Sequence, residues 1–183
     1  SATEGPGTGG AVTLTATDSV FISGFDVEGT LTGIFDEVGF VRSGVFSTTS
    51  SSGTGGAITV SAPALTLEEG GTIVSTVSGE GRGGNITVGG NTLNLLSGAQ
   101  IVSTSGVFDF ETEEIVGSGP GGDIAITADE TVLVSGVSLD LFSLSAISAT
   151  TSTIGKGGDI TISGPNVTVE GSGAIVNSTG GEG

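Results

Sequence analysis

The chain has 183 residues, with only Arg42, Arg82 and Lys156 set against 20 acidic side chains. Its net charge is −17, and it has no Cys, His, Met, Trp or Tyr. This balance excludes nucleic-acid binding, which draws its affinity from Lys and Arg, and it disfavours anionic membranes. The absence of cysteine excludes disulfide and thiolate chemistry. No window reaches the roughly 20 apolar residues of a spanning helix, so no membrane insertion is expected.

A mean hydropathy of +0.36 marks a chain that folds, and 36 glycines mark many tight corners. The opening residues Ser1-Ala2-Thr3-Glu4-Gly5 lack the basic start and apolar core of a secretory signal. If the protein is exported, its signal is expected to lie outside this sequence.

Along the chain, glycine pairs followed by a small or polar residue and then Val or Ile recur at Gly9-Gly10-Ala11-Val12, Gly55-Gly56-Ala57-Ile58, Gly83-Gly84-Asn85-Ile86, Gly121-Gly122-Asp123-Ile124 and Gly157-Gly158-Asp159-Ile160. Gly180-Gly181 reads as the start of a sixth. The spacings of 46, 28, 38 and 36 residues identify Gly55 to Arg82 as the bare repeat and the others as carriers of insertions. Within that bare copy, Ile58-x-Val60, Leu65-x-Leu67 and Ile73-Val74-Ser75 are alternations too short for helices and suited to strands with one buried face.

Stacking the five copies gives columns, the signature of a solenoid. The first strand contributes Val12, Ile58, Ile86, Ile124, Ile160 and, two residues on, Leu14, Val60, Val88, Ile126, Ile162. Between them, facing outward, lie Thr13, Thr59, Thr87, Ala125, Thr161. The second strand contributes Val20, Leu65, Leu93, Val132, Val167 and Ile22, Leu67, Leu95, Val134, Val169. The third begins with Val45, Ile73, Ile101, Ile147, Ile175 and continues with a small, mostly polar column, Ser47, Ser75, Ser103, Ala149, Asn177, suited to bonding up and down a stack.

These columns predict an all-β parallel β-helix in one domain over 1–183, with about five coils of three short strands starting near 9, 55, 83, 121 and 157. In-register stacking at about 4.8 Å per coil makes a prism roughly 25 Å tall. Insertions fall at 25–43, 107–120 and 137–145. The first and third of these interrupt the same junction, between second and third strand, and should leave the same edge.

The insertions also hold the candidate contact residues. Phe25, Phe35, Phe40, Phe108, Phe110 and Phe142 stand outside the repeat columns, and clustered exposed aromatics mark interaction sites. Against this, the loops can fold back and bury the rings on the flank. No cofactor is expected; Asp109, Glu111, Glu113 and Glu114 are the carboxylates that would serve if Ca²⁺ were bound. The Gly-Gly-x-Gly-x-Asp nonapeptide of calcium β-rolls is missing.

No catalytic residue is assigned. The acidic pairs Asp36-Glu37, Glu68-Glu69, Glu113-Glu114 and Asp129-Glu130 could supply paired carboxylates, but neighbours in a strand point to opposite faces and no Arg, Lys, His or Tyr accompanies them. They read as solvated corners. The sequons at Asn85, Asn166 and Asn177 are expected by chance in a chain so rich in Ser and Thr.

The pattern of Gly83 to Ser105 (Gly-Gly-Asn-Ile-Thr-Val-Gly-Gly-Asn-Thr-Leu-Asn-Leu-Leu-Ser-Gly-Ala-Gln-Ile-Val-Ser-Thr-Ser), repeated in Gly157 to Thr179, resembles the repeat of filamentous-haemagglutinin-like exoproteins. That resemblance covers the chain and implies a right-handed, single-stranded β-helix exported by two-partner secretion to the surface of a Gram-negative or cyanobacterial cell. The secretion domain of that family is not evident here. The expected role is non-catalytic: the shaft of a surface adhesin, or a fibre subunit stacking end to end on further copies or further coils, with a cell-surface or polysaccharide ligand. The rival reading is a carbohydrate-active or calcium-dependent polysaccharide-binding β-helix.

Overall fold

In a computed structural model the described residues are 1–3, 7–26, 41–50, 52–109, 114–117, 119–138, 143–152 and 155–180. They form twenty strands and no helix. Strand β1 (Ala2–Thr3) precedes the first repeat, which contains β2 (Val12–Thr15), β3 (Ser19–Ser23), β4 (Phe25–Asp26), β5 (Val41–Arg42) and β6 (Gly44–Thr49). The second holds β7 (Ile58–Ser61), β8 (Ala64–Glu68) and β9 (Thr72–Val77), and the third β10 (Ile86–Leu96), β11 (Gln100–Ser105), β12 (Val107–Asp109) and β13 (Glu114–Val116). The fourth holds β14 (Ile124–Ser135), β15 (Val137–Ser138), β16 (Ser143–Leu144) and β17 (Ala146–Thr151), and the fifth β18 (Ile160–Ser163), β19 (Asn166–Glu170) and β20 (Ala174–Thr179).

Each repeat strand pairs in parallel with its equivalents in the neighbouring repeats. The third strands make a six-stranded sheet in the order β1-β6-β9-β11-β17-β20. First and second strands share an eight-stranded sheet, with β18-β14-β10-β7-β2 in line and β19, β8 and β3 alongside. Every apolar column read from the sequence is a line of register partners: Val12↔Ile58↔Ile86↔Ile124↔Ile160 is one, Ile22↔Leu67↔Leu95↔Val134↔Val169 another and Val45↔Ile73↔Ile101↔Ile147↔Ile175 a third.

Branched and aliphatic side chains from both sheets close the interior. In the second to fourth repeats these columns are buried, with Ile58, Leu67, Ile86, Leu95, Ile101, Val134 and Ile147 at 0 % exposure. The Thr column between the two first-strand columns is exposed throughout, as alternation at a period of two requires. No single repeat offsets its ordering entropy, so stability comes from neighbours completing each strand's hydrogen bonds and covering its apolar face.

Three short strands per repeat is not the pattern everywhere. In the third and fourth copies the first two merge into β10 and β14, 11 and 12 residues long, with an irregularity of register between Gly90 and Thr92. The strands run on through the bend, where Asn91 faces no register partner and pairing resumes at Thr92↔Thr131, whereas Pro63 in the second copy has no N–H to continue the ladder and separates β7 from β8.

The small polar column bonds along the stack. Ser75 Oγ donates to Gly56 O at 3.3 Å and accepts from Gly84 N at 3.1 Å; Ser103 Oγ donates to Gly84 O at 2.9 Å and accepts from Gly122 N at 3.1 Å. Asn177 Nδ2 reaches Gly158 O at 2.7 Å. A second inner column repeats the device, with Ser105, Thr151 and Thr179 donating to Gly81 O, Gly119 O and Gly155 O at 3.0–3.1 Å. Gly84 and Gly122 must be glycine, because a Cβ on either would strike the backbone carbonyl of the preceding repeat.

Register corrects one reading of the sequence. Thr179 pairs with Thr151, and Gly180 N donates to Thr151 O at 2.8 Å. Gly180 therefore stands beside Ser152, before the corner, and does not open a sixth repeat.

Candidate functional site

The place where repeats differ most is the junction between second and third strand. In the second repeat it is a tight turn, Glu68 to Gly71, with Glu69 and Gly70 at φ of 49° and 79° and Gly71 N donating to Glu68 O at 2.9 Å. Ser97 and Gly98 (φ 51° and 82°) do the same in the third, closed by Ala99 N to Leu96 O at 3.1 Å. Two successive residues with positive φ define the type I′ geometry that suits the twist of flanking strands.

In the first and fourth repeats this turn is replaced by a glycine and a hairpin. Gly24 (φ 96°) leads into β4 and β5, paired antiparallel as Phe25↔Arg42 and Asp26↔Val41; Gly136 (φ 90°) leads into β15 and β16, paired as Val137↔Leu144 and Ser138↔Ser143. Each excursion closes on its own origin, with Ser43 N donating to Gly24 O at 3.0 Å and Ser145 N to Gly136 O at 2.9 Å. Parallel pairing of the third strands thus resumes in register after both hairpins. A third hairpin, β12 with β13, leaves after the third strand of the third repeat, between Gly106 and Gly117.

The first and fourth hairpins converge on one flank, as expected for insertions at the same junction. Arg42 Nη2 donates to Ser143 Oγ at 3.3 Å across the two intervening repeats. Ser145 Oγ, fully buried, donates to Ser135 O at 2.7 Å and accepts from Gly98 N at 3.0 Å, fixing the fourth hairpin's root to the third repeat's turn. Gln100 Nε2 reaches Leu144 O at 3.4 Å, and Ser23 Oγ meets Glu69 Oε2 at 3.5 Å. Arg42 Nη1 is buried with no hydrogen-bond partner among the described residues.

Of the six phenylalanines proposed for contact, Phe25 and Phe108 lie on hairpin strands β4 and β12. Their side chains, and Phe35, Phe40, Phe110 and Phe142 altogether, fall outside the described residues. The same holds for the carboxylates of Asp109 and Glu114, which stand opposite each other in β12 and β13, and for Glu111 and Glu113. Among the described residues no three acidic side chains gather as a metal site.

Glu68 opens the second repeat's turn and Glu69 takes its first central position, Asp129 and Glu130 are exposed at the bend of β14, and Asp36 and Glu37 fall outside the described residues. Asp123 Oδ1 accepts from Asp159 N at 2.9 Å, repeating the bond from Asp123 N to Asn85 Oδ1 at 3.0 Å, and Asp123 Oδ2 pairs with Arg82 at 2.6 Å. That ion pair is about two-fifths exposed on each side and contributes little. All three sequon asparagines bond to backbone: Asn85 and Asn166 to a neighbouring repeat and Asn177 within its own.

Residue-level reading of the sequence overlooked Arg42 and Ser143. The available signal was a cation at the root of an insertion in a chain with only two others. Phe21, placed in a repeat strand, is 63 % exposed on the outer face of β3. Comparison with family models, with curated proteins and with solved structures returned no match.

Proposed function

We propose that the chain is a non-catalytic extracellular structural β-solenoid: a right-handed, single-stranded parallel β-helix acting as the shaft of a surface adhesin or as a stacking fibre subunit. The observation that supports this most is the unbroken register of equivalent residues through all five repeats. Such a stack is stiff along its axis and extends by adding coils without new side-chain chemistry. The resemblance to filamentous-haemagglutinin-like repeats points to the same role. On this reading the two hairpins joined by Arg42 and Ser143 form the adhesive flank, presented by a rigid scaffold as binding loops usually are.

Antibody raised against the chain tests the location. Labelling of intact, unpermeabilised source cells is expected, and labelling only after permeabilisation overturns the reading. Replacing residues 25–42 and 137–144 by two-residue turns like Glu69-Gly70 tests the flank: binding to cell-surface polysaccharide should disappear while the β-rich circular dichroism stays. Release of reducing sugar from such polysaccharide by the intact chain would instead favour a carbohydrate-active enzyme.

A further inference from the structure

The outward side chains of the third strands make a face without charge. β6, β9, β11, β17 and β20 hold none of the chain's 20 acidic and three basic residues. Their inward positions fill the interior, and the alternate positions line up outside. One outward column runs Phe46↔Val74↔Val102↔Ser148↔Val176. Two residues on, a second runs Thr48↔Thr76↔Thr104↔Thr150↔Ser178, with Thr150 Oγ1 donating to Thr104 Oγ1 at 3.4 Å. All of these side chains are at least partly exposed. The face thus presents a mostly apolar ridge beside a hydroxyl ridge.

The other outward columns differ. Those of the first strands, such as Thr59, Ser61, Thr87 and Thr127, are exposed hydroxyls with no large apolar side chain among them, and Asp123 and Asp159 stand at their edge. Those of the second strands carry Glu68 and Glu170.

We propose that the third-strand face pairs side by side with the same face of a second copy. Two arguments choose that occupant. Each copy carries a charge of −17, so copies repel wherever carboxylates oppose one another, and a face free of them is where they can meet. Columns of like branched side chains on a parallel, in-register sheet are also the surface that dry sheet-to-sheet contacts interdigitate. Five strands of six residues each span about 24 by 20 Å. Two such faces bury about 1,000 Å² together, the lower end of specific interfaces, so the pairing is weak and reversible. Hairpins rooted at both edges frame the contact and keep it to the strands between them, independent of any end-to-end stacking.

The test is sedimentation of the full chain from about 10 µM to about 1 mM, in about 10 and 150 mM NaCl. The expected result is a dimer that tightens with salt, because screening lowers the repulsion. Val102→Glu puts a carboxylate into the apolar column and should weaken the dimer about tenfold or more. Thr87→Glu adds the same charge to the first-strand face of the same repeat and should change it by less than about twofold. Circular dichroism checks the fold of each variant; if Val102→Glu fails to fold, Val74→Thr combined with Val102→Thr keeps the branched shape and should weaken the dimer about tenfold. A chain that stays monomeric throughout overturns the proposal. So does equal weakening by both Glu variants, which would make net charge the cause, and so does a dimer that no substitution in the valine column weakens, which would give the contact to the hairpins or the ends of the stack. None of these outcomes bears on surface labelling of cells, so failure here is separate from failure of the functional reading.

Discussion

Arg42 and Ser143 are 101 residues apart in sequence, yet the guanidinium of one donates to the hydroxyl of the other at 3.3 Å. They belong to hairpins of the first and fourth repeats, so this contact bridges two turns of the stack that carry no insertion there. The bond joins a partly exposed cation to a hydroxyl and leaves Nη1 buried without a described partner, a combination that organises the flank more than it stabilises the fold. Arg42→Met is therefore expected to change unfolding free energy by no more than about 1 kcal/mol. Cleavage within the hairpins by a dilute protease should nonetheless accelerate, read by limited proteolysis and mass spectrometry.

The buried hydroxyl ladder has a larger energetic role. Ser103 is fully buried and satisfies one carbonyl and one amide of neighbouring corners. Ser103→Ala leaves both unpaired and should cost about 1–3 kcal/mol in urea denaturation. Ala149 holds the same column position one repeat on, so Ala149→Ser should gain about 0.5–1 kcal/mol by supplying the missing hydroxyl. Loss of stability in both variants would show that the hydroxyls are incidental.

Glycines differ sharply by location. A Cβ at Gly122 would overlap the carbonyls of Gly83 and Gly84, whereas one at Gly89 meets nothing within 4 Å. Gly122→Ala should cost about 3 kcal/mol or prevent folding. Gly89→Ala should be neutral or stabilise by about 0.4–1 kcal/mol through the unfolded chain. Thermal unfolding of the pair, side by side, checks the contrast.

Ser97 holds φ of +51° at the first central position of the third repeat's turn. Asparagine tolerates that region better than serine and is favoured before glycine in such turns. Ser97→Asn should raise the unfolding midpoint by a few degrees, and Ser97→Val should lower it more. Equal midpoints for the two would mean that the neighbouring repeats dictate the turn and its residue is immaterial.

A net charge of −17 on a chain with three basic residues makes self-repulsion a general destabilising influence. Raising NaCl from about 10 to 150 mM shortens the Debye length from about 30 to 8 Å. The unfolding midpoint should climb over that range. A midpoint that falls instead would mean that ion pairs such as Arg82 with Asp123 outweigh the repulsion.

The repeat columns were legible from the sequence because their cause is local: branched residues at alternate positions select a strand with one buried face, and five copies of the pattern align themselves. Ser47, Ser75 and Ser103 were equally recognisable as an inner polar line. The glycine partners of Ser75 and Ser103 were not, since those bonds join a third strand to corners nine or nineteen residues away. Gly180-Gly181 misled because a glycine pair looks alike at either end of a corner, and only pairing of Thr179 with Thr151 fixes the count.

Composition and period by themselves determined that this chain forms parallel strands in a stack and which side chains fill it, since both follow from residue chemistry repeated at a fixed spacing. Tertiary structure alone decided that β10 and β14 run unbroken through a corner, that Ser1–Thr3 takes a lane on β6, and that Arg42 meets Ser143. Those outcomes depend on how far the backbone rotates at each corner and how far each hairpin leans along the axis. These quantities are set by packing among several repeats and are written in no single one of them.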